Sequence, residues 1–104
     1  MTTDSKIKVL LVGTGETAEE LFRAISDDSG IILTGIVDKD SAPSMNDMVC
    51  MRNVPLFTDI AQAMQTMPHV VIDLTNDDTV AALIEAHKPP TVEVIESQGV
   101  RVLL

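Results

Sequence analysis

The sequence predicts an α/β fold, a doubly wound parallel sheet of about five strands with helices on both faces. Short β-branched and aliphatic runs alternate along the chain with segments in which apolar residues recur every three or four positions. The first pattern is typical of strands buried on both faces, and the second is typical of amphipathic helices. Because strands alternate with helices, we expect parallel pairing through right-handed crossovers. The 104 residues are enough for one domain, 1–104.

Residues 1–57 contain three predicted strands and one predicted helix. The strands cover 6–12, 31–37 and 54–57. We expect the third strand at an edge of the sheet, because Pro55 has no N–H for the strand ladder. The segment 45–52 stays ambiguous, with a helical turn as one alternative. The helix ends near 27–30, and its apolar inner face consists of Ala18, Leu21, Phe22 and Ile25.

Residues 58–104 contain two predicted helices and two predicted strands. Thr58 is predicted to cap a helix, and Asn76 is predicted to cap another that ends before Pro89. Strands are predicted over 69–74 and 92–96, whereas 97–104 remains open between helix and strand. The predicted inner faces of the two helices are Ile60, Ala63, Met64 and Met67, and Val80, Leu83, Ile84 and His87.

Composition and charge exclude several classes of function. Seven basic and sixteen acidic residues give a formal charge of −9, which repels nucleic acid and anionic lipid. No apolar run approaches the roughly 20 residues that span a bilayer, and the first six residues are too polar to open a signal peptide. We therefore expect a cytoplasmic protein without nucleic-acid or membrane partners. Cys50 is the single cysteine and neither histidine lies in a metal-binding motif, so we predict no metal site and no catalytic residue.

A glycine-rich turn is the most specific motif in the sequence. Gly13, Gly15 and Ala18 form a GxGxxA pattern between the first predicted strand and the first predicted helix. The first glycine permits a tight turn, the second lets the backbone approach a pyrophosphate, and the small third residue lets helix and strand pack closely. The free N–H groups at the start of the helix would hold the phosphates without a basic side chain. The alternative interpretation of this pattern is a packing turn between strand and helix.

Two further segments extend this prediction of nucleotide binding. Asp38 ends the second predicted strand and follows Gly13 at close to the spacing, about 20 residues, at which an acid accepts the ribose hydroxyls of an adenosine. This favours NAD, although Lys39 leaves NADP open because it can pair with a 2′-phosphate. Thr75 and Asn76 follow the fourth predicted strand at the same edge of the sheet, within reach of a cofactor. The alternative for Asn76 is a purely structural helix cap.

The chain resembles the Rossmann domains that begin dihydrodipicolinate reductases and members of the glucose-fructose oxidoreductase family. The resemblance rests on the segments KIKVLLVGTGETA, GIVDKD, NVPLFTDIAQAM and HVVIDLTN, and it covers residues 6–96. It implies that Asp38 and Lys39 contact the adenosine ribose and that Thr75 and Asn76 lie nearest the nicotinamide or its ribose. It also implies that the dinucleotide phosphates are lined by Gly13, Thr14, Gly15, Glu16 and Thr17.

One departure from these families bears on function. Where the glucose-fructose oxidoreductase family has Glu-Lys-Pro with a catalytic lysine, this chain has Glu96-Ser97-Gln98. Similar modules also precede bacterial sensor kinases. We therefore predict a non-catalytic NAD-binding regulatory or sensor domain, a module of a longer protein, with a second copy or a downstream effector domain open as protein partners. The alternatives are the cofactor-binding half of an oxidoreductase and an interaction module that lost its ligand.

Overall fold

The computed structural model describes residues 6–13, 16–26, 30–37, 54–75 and 77–96. Strands and helices alternate through these ranges, as the sequence predicts, except that the second and third strands follow one another among the described residues. The predictions for 45–52 and 97–104 lie outside the described residues. In chain order the elements are β1 (Ile7–Val12), α1 (Glu16–Ser26), β2 (Ile31–Val37), β3 (Leu56–Phe57), α2 (Ile60–Met64), β4 (Val70–Asp73), α3 (Asp78–His87) and β5 (Glu93–Glu96).

The strands form one five-stranded sheet in the order β3-β2-β1-β4-β5. Every pairing in it is parallel, and β1 lies at the centre. The chain first builds outward from β1 through β2 to β3, then returns and builds the other side from β4 to β5. The strand order therefore reverses between β1 and β4, which makes this point the topological switch of the sheet. The prediction that the strand around Pro55 lies at an edge is confirmed.

Helices cover both faces of the sheet, which confirms the predicted doubly wound α/β fold class. Alternate residues of β1 point to opposite faces, so Val9 and Leu11 pack on one side and Leu10 and Val12 on the other. The first face is covered by the predicted inner face of α1, all of it buried: Ala18, Leu21, Phe22 and Ile25. The second face is covered by residues of α2 and α3, among them Ile60, Ala63, Met64 and Ile84.

An irregularity in β2 brings the strand ends level. Val9 pairs with Leu33 but Leu10 pairs with Gly35, so Thr34 is an extra residue in the ladder. The Thr34 hydroxyl donates a hydrogen bond to the Val9 carbonyl at 3.3 Å. Beyond this bulge the register continues to the last residue of each strand, where Val12 pairs with Val37. The carboxyl ends of the two strands therefore meet at the same edge.

Both helix caps differ from the predicted ones by one residue. The caps are Asp59 and Asp77, whose side chains accept hydrogen bonds from Ala61 N at 2.9 Å and Thr79 N at 2.8 Å. The predictions of Thr58 and Asn76 as caps are therefore wrong. Thr58 and Asn76 are each followed directly by an aspartate, and aspartate caps a helix at least as well as threonine or asparagine. The aspartate is the cap in both cases because the helix begins one residue later than predicted.

The inner faces of α2 and α3 are shorter than predicted. Because α2 ends at Met64, Met67 falls beyond it, adopts φ 58° and is 71% exposed. On α3, Ile84 is buried and Val80 half-buried, whereas His87 is exposed and Leu83 is 40% exposed. Leu83 remains exposed to solvent because it lines an open cleft.

Candidate functional site

The carboxyl edge of the sheet opens into a cleft of about 430 Å³. The cleft lies where β1, β2 and β4 end and where α2 and α3 begin, next to the topological switch. Open α/β sheets bind their ligands at this place. Its lining comprises five aliphatic side chains, one glycine and four polar side chains: Val12, Val37, Ile60, Val80, Leu83, Gly13, Thr58, Asp59, Thr75 and Asp77.

Gly13 lines the cleft in a conformation that favours glycine. Its φ is 111°, a region that L side chains rarely adopt. Its N–H donates to the Val37 carbonyl at 2.8 Å, so the turn after β1 is held against the end of β2. A Cβ at this position would lie 3.2 Å from Thr75 Cγ2 and 3.4 Å from the Leu74 carbonyl carbon. The turn therefore requires glycine both for its backbone and for its contact with the loop after β4.

The loop after β4 is held in place by a buried carboxylate. Asp73 is 5% exposed, and its Oδ1 accepts hydrogen bonds from Thr75 N at 2.9 Å and Thr75 Oγ1 at 2.6 Å. Thr75 Oγ1 in turn accepts from Asp77 N at 3.3 Å. Leu74 N donates to the Val12 carbonyl at 2.9 Å, which joins this loop to β1. Thr75 is therefore fixed at the cleft wall beside Gly13.

Two exposed aspartates line the mouth of the cleft. Asp59 and Asp77 each use Oδ1 to cap a helix, and both belong to the cleft lining. Carboxylates at helix N-termini are favourable because they complement the helix dipole. They also give this mouth a negative charge in a chain whose formal charge is already −9.

The structure brings together two of the residues that the sequence predicted as a site, Gly13 and Thr75. Glu16 and Thr17 form the first two residues of α1. Thr14, Gly15, Asp38, Lys39 and Asn76 lie outside the described residues.

Sequence reasoning missed three aspartates, Asp59, Asp73 and Asp77. A usable signal existed for Asp73, since an aspartate two residues before a threonine at the end of a buried strand is typical of an Asx turn. For Asp59 and Asp77 the signal was an aspartate just before a predicted helix, but the cap was assigned to the preceding residue in each case. Their place in one cleft follows only from the way β3, β4 and the helices pack.

Comparison with known proteins gives a fold and no family. No family model matches the chain, and no curated protein matches it. A solved structure named "SirC, precorrin-2 dehydrogenase" is similar, with a TM-score of 0.69 and 17% sequence identity over 92% of this chain and 49% of that chain. The chain thus spans about half the length of that structure. This similarity and the strand order establish a Rossmann-like fold. They do not single out either oxidoreductase family or the sensor modules among the proteins that share it.

Two kinds of feature are absent from the described ranges. Within them, no helix has the length and apolar character needed to cross a membrane. In the same part of the chain, no group of three or more His, Cys, Asp or Glu side chains is arranged to hold a metal ion.

Proposed function

We propose that this domain binds a dinucleotide, NAD, across the carboxyl edge of the sheet. The supporting observation is the cleft at the topological switch, bounded by a glycine turn with φ 111°. Pockets of about 300 to 1,000 Å³ hold small molecules and cofactors, and this cleft has a volume within that range. Because Gly13 has no Cβ, a ligand can approach the backbone of the turn closely.

In this proposal the phosphates bind beside the glycine turn. α1 begins at Glu16, three residues after Gly13, so the first N–H groups of an 11-residue helix follow the turn directly. Such groups bind phosphate through hydrogen bonds and the helix dipole, which explains how an acidic chain can hold an anion. Thr14, Gly15, Glu16 and Thr17 would line the phosphates. Asp38 and Lys39 would contact the adenosine ribose, and Thr75 and Asn76 the nicotinamide side.

Of the two roles that dinucleotide binding could serve, we propose that of a regulatory or sensor domain. The reason is the Glu96-Ser97 pair, which stands where the similar oxidoreductases have glutamate and a catalytic lysine. The second candidate is the cofactor-binding half of an oxidoreductase. One observation favours it: the similar structure is named as a dehydrogenase, and this chain spans 49% of it. The full-length natural sequence would separate the two roles.

The binding itself is tested by titration with NAD, NADH, NADP, ATP and coenzyme A, followed by calorimetry and thermal shift. A ligand present at 100 times its Kd stabilises the folded state by about 2.7 kcal/mol, which gives a clear rise in Tm. We expect NAD or NADH to give the largest rise. The absence of a shift with every nucleotide would favour an interaction module that lost its ligand.

A pair of glycine variants tests the position of the phosphates. We expect Gly15→Val to abolish dinucleotide binding with the fold intact, because a branched side chain there would occupy the space of the pyrophosphate. The matched control is Gly30→Val, at the amino-terminal edge of the sheet just before β2, which we expect to bind normally. Normal binding by Gly15→Val would place the phosphates elsewhere.

Asp38→Ala tests the choice between NAD and NADP. The carboxylate accepts hydrogen bonds from the ribose hydroxyls in this proposal, and bonds of that kind contribute roughly 1.5 to 3 kcal/mol. NAD affinity should therefore fall at least tenfold. NADP should lose less affinity or gain some, because repulsion of its 2′-phosphate disappears and Lys39 can approach it. An equal change in both affinities together with a change in Tm would mean that Asp38 is structural.

A further inference from the structure

His69 lies at the amino-terminal edge of the sheet, opposite the edge that carries the cleft. It directly precedes β4, which begins at Val70. The backbone of His69 contacts both neighbouring strands, since its N–H donates to the Lys8 carbonyl at 2.8 Å and its carbonyl accepts from Glu93 N at 3.1 Å. The amino-terminal ends of β1, β4 and β5 therefore meet at this residue.

The ring of His69 makes a second bond to Lys8. Lys8 N donates to His69 Nδ1 at 3.0 Å. At the opposite edge of the sheet the acceptor is a backbone carbonyl, as in the bond from Gly13 N to the Val37 carbonyl at 2.8 Å. At Lys8 a side chain takes that role. A neutral imidazole accepts at Nδ1 only when its proton is on Nε2, so the bond also selects the tautomer.

Protonation of the ring removes this acceptor. An imidazolium carries a hydrogen on both nitrogens, so no rotation of the ring presents a lone pair to Lys8 N. In the same orientation, the new N–H of Nδ1 would point at the N–H of Lys8. Histidine is the side chain that ordinarily gains a proton between about pH 5 and 8. The bond from Lys8 N to the ring therefore exists only while His69 is neutral.

The charged groups around this edge give a protonated His69 no ion pair among the described residues. Those on the neighbouring elements are Lys6 and Lys8 at the start of β1, Glu93 at the start of β5, and His87 and Lys88 at the end of α3. α2 carries no charged residue, and Lys88 pairs with Glu85 at 3.9 Å. Within the described ranges no carboxylate lies at ion-pair distance from the His69 ring. Protonation thus removes a hydrogen bond without adding a salt bridge.

We propose that His69 is a pH-sensitive switch that holds the start of β1 against β4 when its ring is neutral and releases it when the ring is protonated. From Val9 onward β1 pairs with β2 and β4 through bonds that do not involve the ring. Acidification therefore loosens one end of the central strand while the rest of the sheet stays paired. The switch goes beyond the proposed dinucleotide binding and does not depend on it.

The experiment is hydrogen exchange of backbone amides, followed by NMR at about pH 7.5 and about pH 5.5, on either side of the ordinary titration of histidine. Each rate is divided by the intrinsic rate at that pH to give a protection factor. We expect the protection of the Lys8 amide to fall about two- to tenfold at the lower pH, the range for loss of one neutral hydrogen bond. The Gly13 amide, bonded to the Val37 carbonyl, is the internal reference and should keep its protection.

His69→Asn separates the hydrogen bond from the proton. Asparagine has an acceptor, Oδ1, at the position of Nδ1, and it has no titration in this range of pH. Protection of the Lys8 amide in this variant should therefore stay the same at both pH values. His87→Asn is the matched control, because His87 is the other histidine of the chain and is also exposed. It should show the same fall at Lys8 as the original protein.

Two results would overturn the inference. One is a Lys8 protection factor that does not change with pH in the original protein, a measurement that requires no variant to fold. The other is a fall that persists in His69→Asn. Both are measured without nucleotide, so a failure of the proposed dinucleotide binding is seen separately in the titrations.

Discussion

Two glycines, one inside the sheet and one at its carboxyl edge, are required for different reasons. At Gly35 in β2, a Cβ would lie 2.5 Å from Phe57 Cε2 and 2.8 Å from Phe57 Cδ2. The requirement there comes from a neighbouring side chain. At Gly13 the nearest side-chain atom would be 3.2 Å away, but the backbone itself has φ 111°. Inside the sheet glycine makes room for a ring, whereas at the edge it allows the turn that borders the cleft.

β4 runs from the sheet interior at Val71 to the carboxyl edge at Asp73. The largest expected loss of stability comes from a substitution in its interior part. Val71 is fully buried inside the sheet, and Val71→Asp would leave a buried charge without a partner. Such a charge costs about 3 to 5 kcal/mol, comparable with the total stability of many domains. We expect loss of the cooperative melting transition in circular dichroism. Asp73 is nearly as buried but is tolerated, because Thr75 N and Oγ1 donate to it.

The control for this variant is Ala82→Asp, which adds the same charge on an exposed position of α3. Its cost should stay below about 1 kcal/mol, in line with helix propensity. A Val71→Asp protein that melts like the original would contradict the assignment of β4 to the sheet interior.

Gly35→Ala should give the next largest loss of stability. The added methyl forces the Phe57 ring to move, and overpacking of this kind costs about 1 to 3 kcal/mol. The measurement is the free energy of unfolding in urea. The second change Phe57→Val should restore most of the loss, because it removes Cδ2 and Cε2, the two ring atoms that the methyl meets. Additive effects of the two changes would show that the ring is not the obstacle.

Gly13→Ala should lose less stability, about 1 to 2 kcal/mol, from backbone strain. Here the partner change Thr75→Ser, which removes Cγ2, should recover only part of the loss because φ stays at 111°. The same urea titration measures it. Complete recovery would make Gly13 a second case of the kind seen at Gly35. We also expect weaker NAD binding, since the methyl enters the proposed site.

The smallest expected effect concerns the caps at the mouth of the cleft. Asp77→Ala removes the bond to Thr79 N and should cost about 1 kcal/mol. Asp77→Asn should keep Tm close to that of the original protein, because asparagine caps equally well. A large loss of Tm in Asp77→Asn would show that this carboxylate has a structural role beyond the cap.

Much of the fold could be predicted from local pattern. Four of the five described strands are mainly apolar, β5 has a charged residue at each end, and α1 shows its buried stripe at helical spacing. Helix starts were misplaced by one residue because neighbouring residues at 58–59 and 76–77 are all acceptable caps. Met67 and Leu83 were misassigned to buried stripes, since a periodic pattern does not show where a helix ends or where a wall is left open.

The sequence by itself determined the alternation of strands and helices, the parallel sheet and a glycine turn after β1. Those follow from side-chain periodicity and from the short list of ways to connect such elements. Only the tertiary structure decided that Gly13 abuts Thr75 and that Asp59 and Asp77 share one cleft. These residues lie far apart along the chain or on separate loops. Their contacts exist because parallel pairing brings the ends of β1, β2 and β4 to one edge of the sheet.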